Sequence, residues 1–393
     1  MKKIIYISDL SESEPLFHSQ VIPHVTELRK RFDVTLMVLV RDRKARLHNG
    51  SYFYYSSVKG DYSYYLAKVA FLNQKKKIRS VVTSKKFDLI YSRGIRGGLV
   101  GCLIKKYLFS NRIMLLNDTR GYPFDGMRQN FLNKTILNHS NKMVFDNSHI
   151  LFLVSHYLKK KICRDYGFNI HKAFVFPTFV ADHKFDFKEE NRKSVRKELG
   201  LTSTEVVICY SGSLEKYQNV ETILSALKSC SNPTLKMLVL TKDKRMTTLA
   251  KKYGLSDGDK IKIKSVNYDS IEKYYHAADF GILIRDNTET NKSAAPTKFS
   301  EYVNAGLGLI INHIEADYIQ IFKEKKLEGY LLEKKEDLLN CFNSITTSSV
   351  KRNVSKINTV GELVRRQDEI LDNCIFTEHN SGCELESAHS PLI

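Results

Sequence analysis

The sequence predicts an α/β protein of two Rossmann-like, doubly wound domains facing a cleft. Three observations point there. Short apolar runs alternate with helical patterns through both halves of the chain. Runs such as Asp33–Val40 (DVTLMVLV) are apolar almost throughout, as strands buried on both faces of a parallel sheet are. A polar, charge-rich stretch from His183 to Lys197 separates two such series.

In the first series the strand-like runs are Lys3–Ser8, Asp33–Val40, Asp88–Ser92, Arg112–Asn117, Ile150–Ser155 and Ala173–Phe179. Between the first two, Val21, Val25 and Leu28 recur at helical spacing within Ser19–Phe32. The opening MKKIIYISD has an apolar run of four residues, too short for a signal-peptide core, and reads as a buried first strand. The second series has runs at Glu205–Tyr210, Lys236–Thr241, Lys260–Ser265, Phe280–Ile284, Leu307–Asn312 and Gly329–Leu332. Its helix after Asn219, a residue type suited to an N-cap, buries Val220, Ile223, Leu224 and Leu227. These boundaries give a first domain over 1–182, a linker over 183–197, a second domain over 198–356, a C-terminal helix over 357–378 and a disordered tail over 379–393. In such folds ligands bind outside the carboxyl ends of the strands.

The chain has 393 residues, 42% hydrophobic and 27% charged, as an ordinary folded protein has. No run of about 18 apolar residues occurs, so no spanning helix is expected. Seven cysteines without a CxxC pair argue against a disulfide framework or a zinc site and for a reducing compartment. The net charge of +19 is uneven. Residues 1–190 hold 33 basic and 16 acidic residues, a net +17, and the rest of the chain carries only +2. A field of that sign draws anions: nucleic acid, an anionic leaflet or a phosphorylated lipid. The basic run Lys75-Lys76-Lys77-Ile78-Arg79 lies in no recognisable nucleic-acid module, and an anionic leaflet accounts for it as well. Asp257-Gly258-Asp259 is a DxD in a turn before a strand and reads as turn chemistry, not as a metal site.

The most informative segment is FGILIRDNTETNKSAAPTKFSEYVNAGLGLII, Phe280 to Ile311. It reads as strand, polar loop, helix with Pro296 in its first turn, then strand. Free amides at such a helix start form an anion site fit for a diphosphate. Glu301, about one turn inside, can accept hydrogen bonds from paired hydroxyls such as those of a ribose; the alternative is an ordinary Glu on a solvated helix face.

This segment resembles the donor-site signature of the retaining glycosyltransferases of family 4, which have the GT-B fold. Many members carry Glu-x7-Glu, whose second Glu binds the nucleotide ribose. Glu301, followed by Tyr302-Val303-Asn304-Ala305-Gly306, matches that second Glu, and Ser293 stands where the first would fall. Ala294-Ala295-Pro296-Thr297-Lys298-Phe299 resembles the Ser-Pro-Thr-Lys run of a subset that assembles polysaccharides. The loop Tyr210 to Asn219 is similar to the family's phosphate-approach loop, with Gly212 as the glycine, Ser213 where Arg is common, and Lys216 as the remaining cation.

The resemblance implies a donor site of Gly212, Ser213, Lys216, Ala295, Pro296, Thr297, Lys298, Phe299 and Glu301, with Lys298 among the catalytic residues. In the first half, Asp118-Thr119-Arg120-Gly121 matches the loop that meets the reacting centre. Asp118 is expected to orient an acceptor hydroxyl and Arg120 to face phosphates or an anionic acceptor; a structural Asp–Arg pair is the other reading. His18, Ser19 and Gln20 fall on the acceptor-side loop after the first strand.

The expected activity is that of a hexosyltransferase acting with retention in bacterial surface-polysaccharide (O-antigen or capsule) assembly. The donor would be a nucleotide sugar and the acceptor a glycan on a lipid diphosphate, with no cofactor, metal or nucleic acid required. The expected location is cytoplasmic, peripheral on the inner face of the plasma membrane through the basic first domain. A nucleotide-sugar epimerase or phosphorylase of the same fold, and a non-catalytic module binding anionic polymer, are the competing readings.

Overall fold

In the computed structural model the residues described are 1–10, 14, 16–40, 51–54, 64–83, 86–121 and 131–379. The chain divides into two compact units, each built on its own parallel sheet.

The first unit comprises Met1–Pro177 and a C-terminal segment from Val360. Its strands are β1 (Lys3–Ser8), β2 (Asp33–Val40), β3 (Ser51–Tyr54), β4 (Leu89–Arg93), β5 (Met114–Thr119), β6 (Ile150–Leu153) and β7 (Ala173–Val175), in the order β3-β2-β1-β4-β5-β6-β7. The edge strand β3, with its short polar-aromatic sequence SYFY, is absent from the sequence expectation. The helix expected over Ser19–Phe32 is shorter, Ile22–Leu28, and a π-helical turn, Phe17–Val21, leads into it.

The second unit holds β8 (Val206–Ser211), β9 (Leu235–Leu240), β10 (Ile261–Lys264), β11 (Phe280–Leu283), β12 (Gly308–Asn312) and β13 (Gly329–Leu332), in the order β10-β9-β8-β11-β12-β13. In both sheets the winding reverses beside the first strand, between β1 and β4 and between β8 and β11. These are the topological switch points at which open α/β sheets bind ligands.

Two boundaries differ from the sequence expectation. The units part at Pro177–Thr178, and the stretch expected as a linker over 183–197 holds most of the helix Glu189–Leu199, which packs on the helix Ile271–Ala277 of the second unit. The physical reason is Asp279, at the amino end of β11. Arg192 and Arg196 of that helix bond its two carboxylate oxygens at 2.7 and 2.8 Å, and the Val207 amide adds a third bond at 2.8 Å. Two charges of that stretch, Arg192 and Arg196, therefore belong to an ion network on the buried Asp279. The C-terminal helix Val360–His379 is part of the first unit, where Gln367 bonds both His24 and Tyr91 in the core. The tail assigned to 379–393 lies, from residue 380, outside the described residues.

Candidate donor site and the carboxylate–arginine cluster

The donor-side residues gather around the switch point of the second unit. Pro296 is the N-cap of the helix Thr297–Asn304, one position earlier than expected, with φ −65°. The Phe299 amide bonds the Pro296 carbonyl at 3.0 Å, and the Thr297 and Lys298 amides precede any intrahelical acceptor. Thr178 donates to the Ala295 carbonyl at 2.7 Å and fixes the approach to that helix start.

Glu301 is 1% exposed, so the solvated-face alternative fails. Its Oε2 accepts from the Tyr275 hydroxyl and from Lys298 Nζ, each at 2.7 Å. Lys298 also reaches the Tyr275 oxygen at 3.0 Å, and Tyr275 lies 3.1 Å from Ser211 Oγ at the end of β8. Burial, with Glu301 beside it, holds the Tyr275 phenol well above its usual pKa, so it remains a donor. Both bonds to Glu301 fall on one carboxylate oxygen, and the Lys298 ammonium stays partly accessible at the helix start.

Close packing on β11 brings this set together. A Cβ on Gly281 would lie 2.2 Å from the Tyr302 ring, so glycine at that position lets the helix seat this closely. The Tyr302 hydroxyl in turn accepts from the Ser211 amide at 2.8 Å. Phe299, expected at the donor, is instead a core residue packed on Tyr318, with ring centroids 5.4 Å apart. Its side chain faces inward because it shares the helix face of Tyr302 and Val303 that covers the sheet. Ser293 is buried and donates to the Thr290 carbonyl.

In the loop after β8, the Gly212 amide bonds the Leu240 carbonyl, and a Cβ there would stand 3.0 Å from the Tyr210 hydroxyl. The Ser213 carbonyl accepts from that hydroxyl at 2.5 Å, and Lys216 is exposed in the 3-10 turn Lys216–Gln218. Asn219 occupies the N-cap position with a left-handed backbone, φ 51°, but makes no side-chain cap.

Sequence reasoning missed Arg285. It sits just past β11, 5% exposed, and among the described residues its guanidinium bonds to the carbonyls of Tyr217 and Ile284, at 3.4 and 3.3 Å, and to no carboxylate. Asn312 clamps its backbone on both sides, at 2.8 Å each. The neighbouring carboxylate, Asp286, is taken by Lys335 at 2.6 Å. A buried guanidinium left without a counter-charge, at a sheet's switch point, suits an anionic ligand. The signal in the sequence was Ile284-Arg285, a charge ending an apolar strand.

In the first unit, Asp118 and Arg120 are brought together. Asp118 is fully buried, and its Oδ2 accepts from Arg120 at 2.6 and 2.9 Å, from Tyr91 at 3.2 Å and from Arg93 at 3.4 Å; Oδ1 is buried without a partner among the described residues. Arg120 also bonds the Phe176 and Pro177 carbonyls. Half-buried Asp9, past β1, lies against Gly94, where a Cβ would come 1.8 Å from Oδ2. Burial pushes the Asp9 carboxyl up to about 6. Of the acceptor-side residues, His18 is exposed, whereas Ser19 and Gln20 are buried in the π-helical turn. Asp257 and Asp259 are engaged within the second unit: Asp257 accepts from the Ile263 amide at 3.0 Å, and Asp259 pairs with Lys236 at 3.0 Å.

Residues 191–358 match the family model described as glycosyl transferases group 1, which is most of the second unit. Among solved structures the chain is similar to HepE of Anabaena in complex with UDP and glucose, at 15% identity and TM-score 0.71, covering 95% of this chain and 100% of that one. It is also similar to a glycosyltransferase of Rickettsia africae, at 15% identity and TM-score 0.70, covering 95% and 99%. A third is WaaG, a glycosyltransferase involved in lipopolysaccharide biosynthesis, at 11% identity and TM-score 0.61, covering 96% and 100%. No curated protein matches the chain by sequence. The fold is GT-B, two Rossmann-like domains. The match of residues 191–358 in the second unit to the group 1 model supports a glycosyltransferase.

Proposed function

We propose that this protein moves a hexosyl group from a nucleoside-diphosphate sugar to a lipid-diphosphate-linked glycan, with retention, in bacterial surface-polysaccharide assembly on the cytoplasmic side of the membrane. The observation that carries the reading is the buried Glu301, held by Tyr275 and Lys298 at a helix start beside the β8–β11 switch point of a group 1 glycosyltransferase domain. Its Oε2 is occupied by protein donors, and Oε1 takes no hydrogen bond among the described residues, which leaves it for ribose hydroxyls.

Lys298, the Thr297 and Lys298 amides, Arg285 and Lys216 would meet the diphosphate. As the bond from the anomeric carbon to the diphosphate oxygen breaks, negative charge grows on that oxygen, and preorganised cations and amides stabilise it without reorganising. The acceptor oxygen bonds the anomeric carbon on the same face and its proton passes to the diphosphate, so no separate base or metal is needed. In the first unit, Asp118 would set Arg120 and Arg93 toward the anionic acceptor.

A thermal-shift screen of the purified protein across UDP-, GDP-, ADP- and dTDP-sugars tests the donor class. NMR of the product's anomeric proton tests retention. Stabilisation by no nucleotide sugar, with no transfer, would overturn the reading.

A further inference from the structure

The C-terminal helix Val360–His379 belongs to the first unit and sends Gln367, 1% exposed, into its core. There the Gln367 Oε1 lies 2.8 Å from His24 Nε2, and its Nε2 lies 2.9 Å from the Tyr91 hydroxyl. Tyr6 of β1 meets the other His24 nitrogen, Nδ1, at 3.2 Å. Tyr91 of β4 reaches Asp118 Oδ2 of β5, also at 3.2 Å. All these side chains are buried.

Elementary chemistry fixes which way each hydrogen points. An amide oxygen only accepts, so His24 Nε2 carries a hydrogen and donates to Gln367. Burial lowers the His24 pKa to about 3, so the ring is neutral and its Nδ1 accepts from the Tyr6 hydroxyl. Gln367 Nε2 donates to the Tyr91 oxygen, which frees the one Tyr91 hydrogen for Asp118. Turning the amide over would draw that hydrogen to Gln367. The Tyr91 and Asp118 oxygens would then face each other 3.2 Å apart with no hydrogen between them. The bonds therefore run one way, from Tyr6 through His24, Gln367 and Tyr91 to the Asp118 carboxylate, and hydrogen bonds so aligned strengthen one another. A core that only had to be filled would be served as well by apolar groups of the same shape.

On the reading that Arg120 faces the anionic acceptor, we infer that Gln367 is a positioning residue: it completes a one-way chain of hydrogen bonds that fixes Asp118 and, through Asp118, the Arg120 guanidinium. Asp118 Oδ2 takes Arg120 at 2.6 and 2.9 Å. The guanidinium also lies over the Phe176 ring, 5.1 Å from its centroid, and that ring packs 5.5 Å from His24. Gln367 acts through the Tyr91 hydroxyl, so removing that hydroxyl cuts it off from Arg120.

NMR of the full chain labelled with ¹⁵N-histidine should show His24, identified by its loss in His24→Gln, as the neutral Nε2–H tautomer. With ¹⁵N-arginine, the Arg120 Nε–H signal is identified by its loss in Arg120→Lys. It should exchange with solvent slowly in the parent and roughly tenfold faster in Gln367→Met, the order set by one hydrogen bond to a charged group. Tyr91→Phe should do the same, and the double variant no more than either. Inorganic pyrophosphate, standing for the acceptor's diphosphate, should shift that signal in the parent and require about ten times the concentration in Gln367→Met. The thermal shift given by a nucleotide sugar should stay that of the parent. No readout needs transfer, so the outcome is separable from the fate of the proposed reaction. Where Gln367→Met melts too low to study, Tyr91→Phe carries the test. A lower melting temperature with Arg120 exchange and pyrophosphate response unchanged would make Gln367 a core residue only. Losses that add in the double variant, or a His24 ring protonated on Nδ1, would break the chain. Any of these results overturns the inference.

Discussion

Glu301 Oε2 takes the Tyr275 hydroxyl and the Lys298 ammonium at the same distance, 2.7 Å, so one buried carboxylate oxygen joins two helices of the second unit. Deleting it removes the charged acceptor that both donors share and leaves the Tyr275 hydroxyl only its longer contact to Ser211 Oγ, at 3.1 Å, a loss of about 1–3 kcal/mol. Glu301→Ala should therefore lower the melting temperature by several degrees as well as abolish turnover or raise the donor KM. Glu301→Gln keeps the shape and should melt close to the parent while still binding donor weakly. Normal transfer by Glu301→Ala would refute the ribose assignment.

The cations divide by environment. Arg285 and Lys298 are held in place, whereas Lys216 is exposed on a turn. Arg285→Met and Lys298→Ala should each lower kcat/KM by roughly 10²–10³, the order for loss of one preorganised stabiliser. Lys216→Ala should reduce it by no more than that. The loss should track the diphosphate: binding of the nucleoside diphosphate weakens and that of the nucleoside does not. Unchanged kcat/KM in all three moves the diphosphate elsewhere.

EDTA should leave the transfer rate intact, since the two carboxylates of the DxD are bonded to the Ile263 amide and to Lys236. Complete loss restored by Mg²⁺ or Mn²⁺ would show that the diphosphate needs a cation these side chains do not supply.

Much of this was legible in the sequence because strands buried on both faces announce themselves. Lys3–Ser8 and Asp33–Val40 coincide with the observed strands at both ends, and so does the partly exposed edge strand Gly329–Leu332. The helix start at Pro296 and the place of Glu301 were legible from residue type and spacing. What escaped depends on contacts across the chain. The 189–199 helix reads as polar until Asp279 is seen to neutralise Arg192 and Arg196. Phe299 reads as part of a motif until the helix face shows it buried on Tyr318. Arg285 reads as a loop charge because its isolation is a property of what does not surround it.

The last prediction concerns Asp9 and its pH dependence. The carboxyl lies against Gly94, the first residue of the helix Gly94–Leu108, whose φ of +69° and missing Cβ make the space for it. Burial raises its pKa from 3.8 to about 6; Arg96 and Arg93 pull it down, and Glu14 and Asp118 push it up. The folded state then binds this proton more tightly than the unfolded state does. The sign follows: nothing is lost below about pH 3.8, stability falls as pH rises from there to about 6, and the full penalty stands above 6. Asp9→Asn should therefore stabilise the protein at pH 8 by on the order of 1–2 kcal/mol, about 2–4 °C per kcal/mol, and by almost nothing at pH 4. His24 works in the opposite direction, since burial lowers its pKa to about 3 and acid must charge it inside the core, but it is common to both proteins and cancels in the difference. Gly94→Ala supplies the structural control, because its methyl would meet Asp9 Oδ2 and strain a left-handed backbone; it should destabilise at every pH. Melting curves of the parent, Asp9→Asn and Gly94→Ala from pH 4 to 8 decide the matter. A parent-minus-variant difference that is flat across that range would mean the Asp9 carboxyl titrates as an ordinary surface acid.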